Sequence, residues 1–326
     1  MVVSKTLNIT QGTSLNVTGA STGATANGNH TTQLFAVDGA SALRLTDMVL
    51  TNGYADFGGA VYAMSHASVS FDGNVTFEAN TALYGGAIYA DSSTVFWGGE
   101  ATAFSSNEAL YDGDTVMAKG SSSISWDGNT TFLNNSANST GGAAFLHESS
   151  IMSWSGETRF TGNTAEQAGA IYADSSSVVW GGGDSTFSNN YASYYGGAIM
   201  AEGSSIVAWK DETVFMDSSR CPREGSVFVD EPSEIAWSSK TTFTANAAMA
   251  GGAIYAESST IDWIGEKTTF SMNNASYDGG AIMMRNASSL SWDGETGFIG
   301  NTAGGAGGAV YVMDDSNVYW QGDTTF

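Results

Sequence analysis

Ten phenylalanines recur at an almost constant interval along this chain of 326 residues. The steps between them are 27 or 28 residues, and every three steps sum to 83. The column consists of Phe77, Phe104, Phe132, Phe160, Phe187, Phe215, Phe243, Phe270, Phe298 and Phe326. A fixed period in this range indicates a solenoid, in which each repeat buries its apolar face only against its neighbours. The 83-residue period indicates a larger unit of three repeats.

Each repeat contains three short alternating runs, which are separated by Gly, Ser and Asn turns and are strand-like in period and composition. Same-side positions in the first run form a Val/Ile column, and those in the second run form a Trp column that begins at Trp97. We expect both to face the core with the Phe column, and the Thr that stands two residues before most of these Phe to point inward too. An outward Trp column that stacks on sugars is the alternative.

The sequence therefore predicts an all-β fold, a right-handed parallel β-helix with three strands per coil of about 28 residues. Residues 58–326 form about ten regular coils, and residues 1–57 form irregular N-terminal coils that fit the pattern loosely. We expect one continuous domain that is a segment of a longer protein. Three residues beyond the Phe column stands an Asn column, starting at Asn80, whose members we expect to occupy left-handed turns and to bond from coil to coil.

The charge of the chain limits its partners. The formal net charge is -23 with only ten Lys and Arg, which argues against nucleic acid and anionic lipid as partners. No apolar run reaches membrane-spanning length, so we expect no membrane insertion of this segment. Cys221 is the single cysteine, which leaves no disulfide framework. Cations, cationic partners and neutral glycans remain open.

Two motifs carry a family resemblance. Gly-Gly-Ala-Ile, as at 85–88 and 251–254, and Phe-x-x-Asn, as at 77–80 and 160–163, recur through residues 58–326. This pair resembles the repeats of chlamydial polymorphic membrane proteins, and similar repeats occur in algal and other bacterial surface proteins. The resemblance implies autotransporter passengers that are right-handed parallel β-helices and act as surface adhesins.

One outward column of the first run is rich in aromatic residues and Met, and we expect an exposed contact stripe there. Its aromatic members are Tyr62, Tyr89, Phe145, Tyr172, Phe228, Tyr255 and Tyr311. Shelter under turns or under a neighbouring chain is the alternative.

The next outward column is charged. Asp174, Glu202, Asp230 and Glu257 stand in successive coils, where their repulsion would be relieved by Ca²⁺, by raised pKa values or simply by water. Earlier in the same column, Asp91, Lys119 and His147 precede Asp174. In the alternative interpretation, a polysaccharide-active enzyme, this acid–base set is the catalytic site. The uniform coils lack the long inserts that would build an enzyme cleft.

Two further features concern binding and modification. One coil breaks the pattern around Arg220, Cys221 and Arg223, and local irregularity of this kind is a candidate binding feature. Nine Asn-x-Ser/Thr sequons favour a glycosylated extracellular protein. They stand at Asn8, Asn16, Asn29, Asn74, Asn129, Asn134, Asn138, Asn274 and Asn286.

These observations favour a non-enzymatic structural or adhesive rod outside the cell or at its surface. It would present ladders of side chains to other protein chains or to cell-surface glycans, and it could assemble laterally or end to end. No cofactor is expected apart from the Ca²⁺ considered above. The alternatives are a polysaccharide lyase or hydrolase and a carbohydrate-binding module.

Overall fold

The computed structural model describes residues 1–19, 23–111, 115–218, 223–265 and 267–326. Within them every regular element is a strand, and the strands stack in parallel as a β-solenoid of about 11 turns with about 28 residues per turn. The predicted all-β parallel β-helix is confirmed.

The first strand of each coil belongs to a twelve-stranded parallel sheet, the first sheet. Pairing joins equivalent positions of successive coils, as Ile88 with Val116 and Asp91 with Lys119. The strands are Leu7–Ile9, Phe35–Asp38, Val61–Met64, Ile88–Asp91, Val116–Lys119, Ala144–Leu146, Ile171–Asp174, Ile199–Glu202, Val227–Val229, Ile254–Glu257, Ile282–Arg285 and Val310–Val312.

The second and third strands of each coil form two further parallel columns, which one long strand joins in two early coils, Ala42–Thr51 and Ser68–Glu78. The other second strands are Ser14–Thr18, Thr94–Trp97, Ser123–Trp126, Ile151–Trp154, Ser177–Trp180, Ile206–Trp209, Glu234–Trp237, Thr260–Trp263, Ser289–Trp292 and Asn317–Trp320. The other third strands are Ala24–Asn27, Ala101–Ser105, Asn129–Leu133, Thr158–Thr161, Ser185–Ser188, Thr213–Met216, Thr241–Thr244, Lys267–Ser271, Glu295–Ile299 and Thr324–Thr325.

A short fourth strand follows the Asn turn in most described coils, where the sequence predicted only three strands. These strands pair in parallel in a six-stranded and a three-stranded sheet. They are Tyr54–Phe57, Thr81–Tyr84, Glu108–Ala109, Ser136–Ala137, Thr164–Gln167 and Tyr191–Tyr195, then Ala247–Ala248, Asn274–Ala275 and Thr302–Ala303. Five of the nine have only two residues, which is too short for an alternating pattern to be recognised.

The core is built from two ring stacks. Trp126 lies parallel to Trp154 with centroids 4.8 Å apart, and Phe132 lies parallel to Phe160 at the same separation. Between the stacks the contacts are edge to face, with 6.1 Å and 77° between Trp126 and Phe132. The Trp rings from Trp97 to Trp292 are at most 1% exposed, so the inward prediction is confirmed and an outward Trp platform is wrong. Such ring pairs add roughly 0.5–1.5 kcal/mol each beyond area burial.

The eight buried indoles share an unusual property, because their Nε1 donors have no hydrogen-bond acceptor among the described residues. The Thr column two residues before the Phe column is also buried, as predicted. Its members are Thr102, Thr130, Thr158, Thr213, Thr241, Thr268 and Thr296.

The Asn column forms a buried amide ladder. Asn163 Oδ1 accepts hydrogen bonds from the backbone N and from Nδ2 of Asn135, at 3.1 and 3.0 Å, and Asn163 bonds to Asn190 in the same way. The predicted coil-to-coil bonding is confirmed, but the predicted left-handed turn position is wrong. Positive φ falls on the preceding residue, as at Asn134 with φ 51° and Asn189 with φ 53°.

A second polar ladder runs along the turn after the first strand, and the sequence did not predict it. The backbone N of Ser122 donates to Ser150 Oγ at 3.2 Å, and the backbone N of Ser150 donates to Ser176 Oγ at 3.2 Å. The same bond recurs from Ser176 to Ser205 and from Ser205 to Ser233. In most described coils, two corners are thus held by side chains that satisfy buried backbone donors.

The N-terminal coils continue the same stack. Leu7 pairs with Phe35, and Phe35 pairs with Val61 of the first regular coil. Leu45 and Leu50 pair with Phe71 and Phe77, so aliphatic side chains take the inward positions that aromatic rings hold later.

Candidate functional site

The outward face of the first sheet is covered, which overturns the expected exposed stripe. Eight side chains of the column are only 2–9% exposed and form a second apolar cluster, namely Tyr89, Met117, Phe145, Tyr172, Met200, Phe228, Tyr255 and Met283. Tyr62 and Tyr311, in outer coils, are partly buried against it. The fourth-strand region folds over this face, with Tyr84, Tyr195 and Ala250 packed against the cluster. Of the predicted alternatives, shelter within the chain's own coils is the one observed.

Along this covered face, the described residues line two grooves that bear on function. The first, named here the Lys119 groove, has a volume of about 410 Å³. It is lined by Phe57, Tyr84, Tyr89, Met117, Lys119, Phe145 and His147. The second, named the Arg285 groove, also has a volume of about 410 Å³. It is lined by Arg223, Glu224, Met249, Ala250, Tyr255, Tyr277, Asp278, Met283 and Arg285.

The structure brings together, at the Lys119 groove, the residues considered as the catalytic site of a polysaccharide-active enzyme. His147 Nδ1 lies 2.7 Å from Asp174 Oδ2, although the N–H direction does not make this contact a hydrogen bond. Lys119 Nζ lies 3.7 Å from Glu148 Oε1, which is also 3.5 Å from His147 Nε2. Asp91 faces Lys119 in the neighbouring strand and accepts a hydrogen bond from Ser92. Glu148, which the sequence did not single out, contacts both Lys119 and His147 and so lies at the centre of the cluster.

Two tyrosines of the covered column, Tyr89 on the floor of the Lys119 groove and Tyr172 beyond it, are strongly desolvated. Burial raises the pKa of Tyr89 to about 12, with a further contribution from Asp91. Burial and a hydrogen bond to Glu202 raise the pKa of Tyr172 above its ordinary value. These phenols stay protonated at neutral pH and can donate hydrogen bonds.

The four acids predicted as a Ca²⁺ ladder each contact a different group of the chain. Asp174 contacts His147, and Glu202 accepts a hydrogen bond from Tyr172. The third, Asp230, accepts one from the backbone N of Glu231 at 2.7 Å. Burial raises the pKa of both Glu202 and Asp230.

The fourth acid of that column, Glu257, is held by Arg285, whose Nε lies 2.9 Å from Glu257 Oε2. Among the described residues no group of three or more His, Cys, Asp or Glu is placed to hold a metal ion. The Ca²⁺ hypothesis therefore stays a prediction without support from this arrangement.

The irregular coil contributes to the Arg285 groove. Glu224 stands where other coils have the first Gly of the pair, and its carboxyl is partly buried. Burial raises the pKa of Glu224 to about 7, and Arg285 partly opposes this shift. Arg223 lies over the ring of Tyr194 at 5.5 Å and bonds weakly to Tyr195 Oη. Arg220 and Cys221, which were also singled out, lie outside the described residues.

The sequon asparagines lie on the surface. All nine, from Asn8 to Asn286, are exposed, whereas the ladder asparagines are buried or nearly so. The two sets do not overlap, because the position two residues after each ladder Asn is a small inward Ala, as Ala82 after Asn80. Whether the sequons carry glycans stays a prediction.

One family model matches the repeat itself. The Chlamydia polymorphic membrane protein repeat matches residues 68–91 and 184–202, each containing a Phe-x-x-Asn motif followed by a Gly pair. No curated protein and no solved structure gives a significant match. The described part of the chain has no helix that is long and apolar enough to span a membrane. The matched repeat and the β-helix confirm the resemblance to this type of repeat and suggest a surface adhesin-like protein.

Proposed function

We propose that this polymorphic-membrane-protein-like β-helix repeat protein is a non-enzymatic adhesive rod that acts outside the cell or at its surface. Its partners are other protein chains or cell-surface glycans, which it holds along the covered face of the first sheet. The proposal rests on the two grooves on that face, because concave apolar sites with a few convergent polar groups are typical binding sites.

The scaffold suits this role. Parallel pairing joins coils at constant register, and the ring stacks and polar ladders fix neighbouring coils at their centre and at two corners. Groups on one face are therefore repeated at about 4.8 Å along the rod. A preorganised surface loses little conformational entropy when it binds.

The test is attachment of beads that carry the folded chain to cultured cells and to extracellular matrix. We expect more attachment than with beads that carry the heat-unfolded chain or an unrelated acidic protein. Equal attachment in all three cases would overturn the adhesive function.

A second candidate is a polysaccharide-active enzyme, favoured by one observation, the convergence of Lys119, His147, Glu148 and Asp174 beside the Lys119 groove. Turnover of polyuronates that is lost on Lys119→Ala, with unchanged circular dichroism, would replace the adhesive function with this one. Absence of turnover over a panel of neutral and acidic polysaccharides is the expected result.

A further inference from the structure

The two grooves occupy equivalent positions in the first and third 83-residue units. Lys119 corresponds to Arg285, Tyr89 to Tyr255 and Met117 to Met283, and each pair is separated by 166 residues. All six line the grooves. In the second unit, the position equivalent to Lys119 and Arg285 is Glu202. Its carboxylate accepts a hydrogen bond from Tyr172.

The rim of each groove carries an exposed tyrosine at another equivalent position. Tyr277 lines the Arg285 groove and is 59% exposed. Tyr111 is 58% exposed, and its ring stacks 6.0 Å from Tyr84 of the Lys119 groove. One ring face of Tyr111 is covered by this stack, and the described residues place no ring against the other. The same position of the middle unit holds Tyr194, which is 42% exposed and lies under Arg223, so an exposed tyrosine recurs in all three units although core packing does not require it.

The charges around the grooves restrict the ligand. Lys119 is close to Glu148, and Arg285 is paired with Glu257, so neither cation is free to neutralise an anion. The net charge of -23 repels acidic ligands, and a cationic ligand would have to displace Lys119 from Glu148 or Arg285 from Glu257. A purely apolar ligand would strip water from these charged groups without replacing their hydrogen bonds.

A neutral polyhydroxylated ligand meets each of these conditions. Its C–H faces fit the apolar floor of Tyr, Met and Phe side chains, as at Tyr89 and Met117. Its hydroxyls can bond to the ionised rim groups, since charge-assisted hydrogen bonds are the stronger ones. We propose that the Lys119 and Arg285 grooves are two equivalent subsites for a neutral glycan chain, with Tyr111 and Tyr277 as outer contacts of the bound sugars.

The inference rests on the proposed adhesive function and names the ligand class for it. The subsites are six coils apart, which is about 29 Å at about 4.8 Å per coil. A glycan long enough to reach both subsites binds more tightly than a short one, because its second contact is intramolecular.

The experiment is isothermal titration of the folded chain with neutral oligosaccharides built from glucose, galactose or N-acetylglucosamine. Sialylated and sulfated oligosaccharides of matched length form the comparison set. We expect a neutral class to bind at two sites per chain and more tightly than its charged counterparts. Tyr111→Ala and Tyr277→Ala should each weaken one site about 2- to 13-fold, as expected for one aromatic contact.

Tyr319→Ala is the matched control, since Tyr319 is 58% exposed but lies on a second strand, away from both grooves. It should leave both sites unchanged. With a long neutral glycan, either groove variant should reduce the gain in affinity over the short one by a similar factor.

Binding by charged glycans alone, or equal binding by the Tyr111→Ala/Tyr277→Ala double variant and the parent, would overturn the inference. So would a folded chain that binds no neutral oligosaccharide at millimolar concentration. If chain-coated beads still attach to cells in any of these cases, the adhesive function stands and only the ligand class is wrong.

Discussion

The amide ladder gives the sharpest prediction about stability. Asn163 is fully buried, and its Oδ1 is the acceptor for the backbone N and for Nδ2 of Asn135. Its own Nδ2 donates to Phe132 O at 3.1 Å and to Asn190 Oδ1 at 3.0 Å. Asn163→Ala removes this side chain from the middle of the ladder and leaves both donors of Asn135 without that acceptor.

The size of the effect follows from those donors. A buried donor that loses its acceptor costs about 1–3 kcal/mol, so two of them cost about 2–6 kcal/mol of unfolding free energy. Asn138→Ala is the control, since Asn138 is exposed and its side chain makes one bond among the described residues, from Nδ2 to Leu110 O at 2.9 Å. We expect its effect to stay near 0.5 kcal/mol, as for most surface changes.

Guanidinium unfolding followed by Trp fluorescence measures both variants, and hydrogen exchange reports the Asn135 amide separately. Solenoids can unfold in parts, so the local exchange rate is the more direct measurement. A loss below about 1 kcal/mol, together with unchanged protection of the Asn135 amide, would show that the ladder does not hold the coils together as argued.

Three further predictions concern single positions. Among the described residues, no hydrogen bond of the amide ladder joins Asn190 to Ser218. Ser218→Asn should therefore complete the ladder and raise the unfolding midpoint. An unchanged midpoint would contradict this. Trp180→Ala should cost about 3–5 kcal/mol by opening a cavity in the ring stack, whereas the same change at Trp320, which is 39% exposed, should cost much less in the same unfolding assay. Glu224 has a pKa of about 7 in the folded state against 4.5 for the free side chain, so its contribution to stability is lost as pH rises through that window; Glu224→Gln should flatten the fall, which thermal unfolding between pH 4 and 8 would measure.

The inward columns could be predicted from the sequence, because alternation along a strand and a constant period both act locally. Val116, Trp126 and Phe132 face the core, as their alternate positions along the strands predict. The same alternation also placed Tyr89 correctly on the outer side of the first sheet. Alternation along a strand does not say what lies over that side, however, and the cover comes from the fourth-strand region, in which five of the nine strands have only two residues.

The ladders and the candidate site show the same limit. Asn163 was conspicuous as a regular single residue, whereas Ser150 lies among other serines and resembles ordinary turn composition. Lys119, His147 and Asp174 were found because they share one column of the first sheet. Glu148 was missed because it follows the strand, and only the left-handed turn, with φ 55°, brings it back to the cations.

The Trp stack has a consequence for spectroscopy. From Trp97 to Trp292 the indole rings lie nearly parallel with centroids 4.5–5.0 Å apart, and their N–H groups have no acceptor among the described residues. At this spacing the transition dipoles of neighbouring rings couple, so the column gives an exciton contribution to circular dichroism. Its near-ultraviolet circular dichroism should exceed that of the same number of isolated tryptophans. The chain therefore carries an intrinsic optical signal that reports whether its coils are in contact.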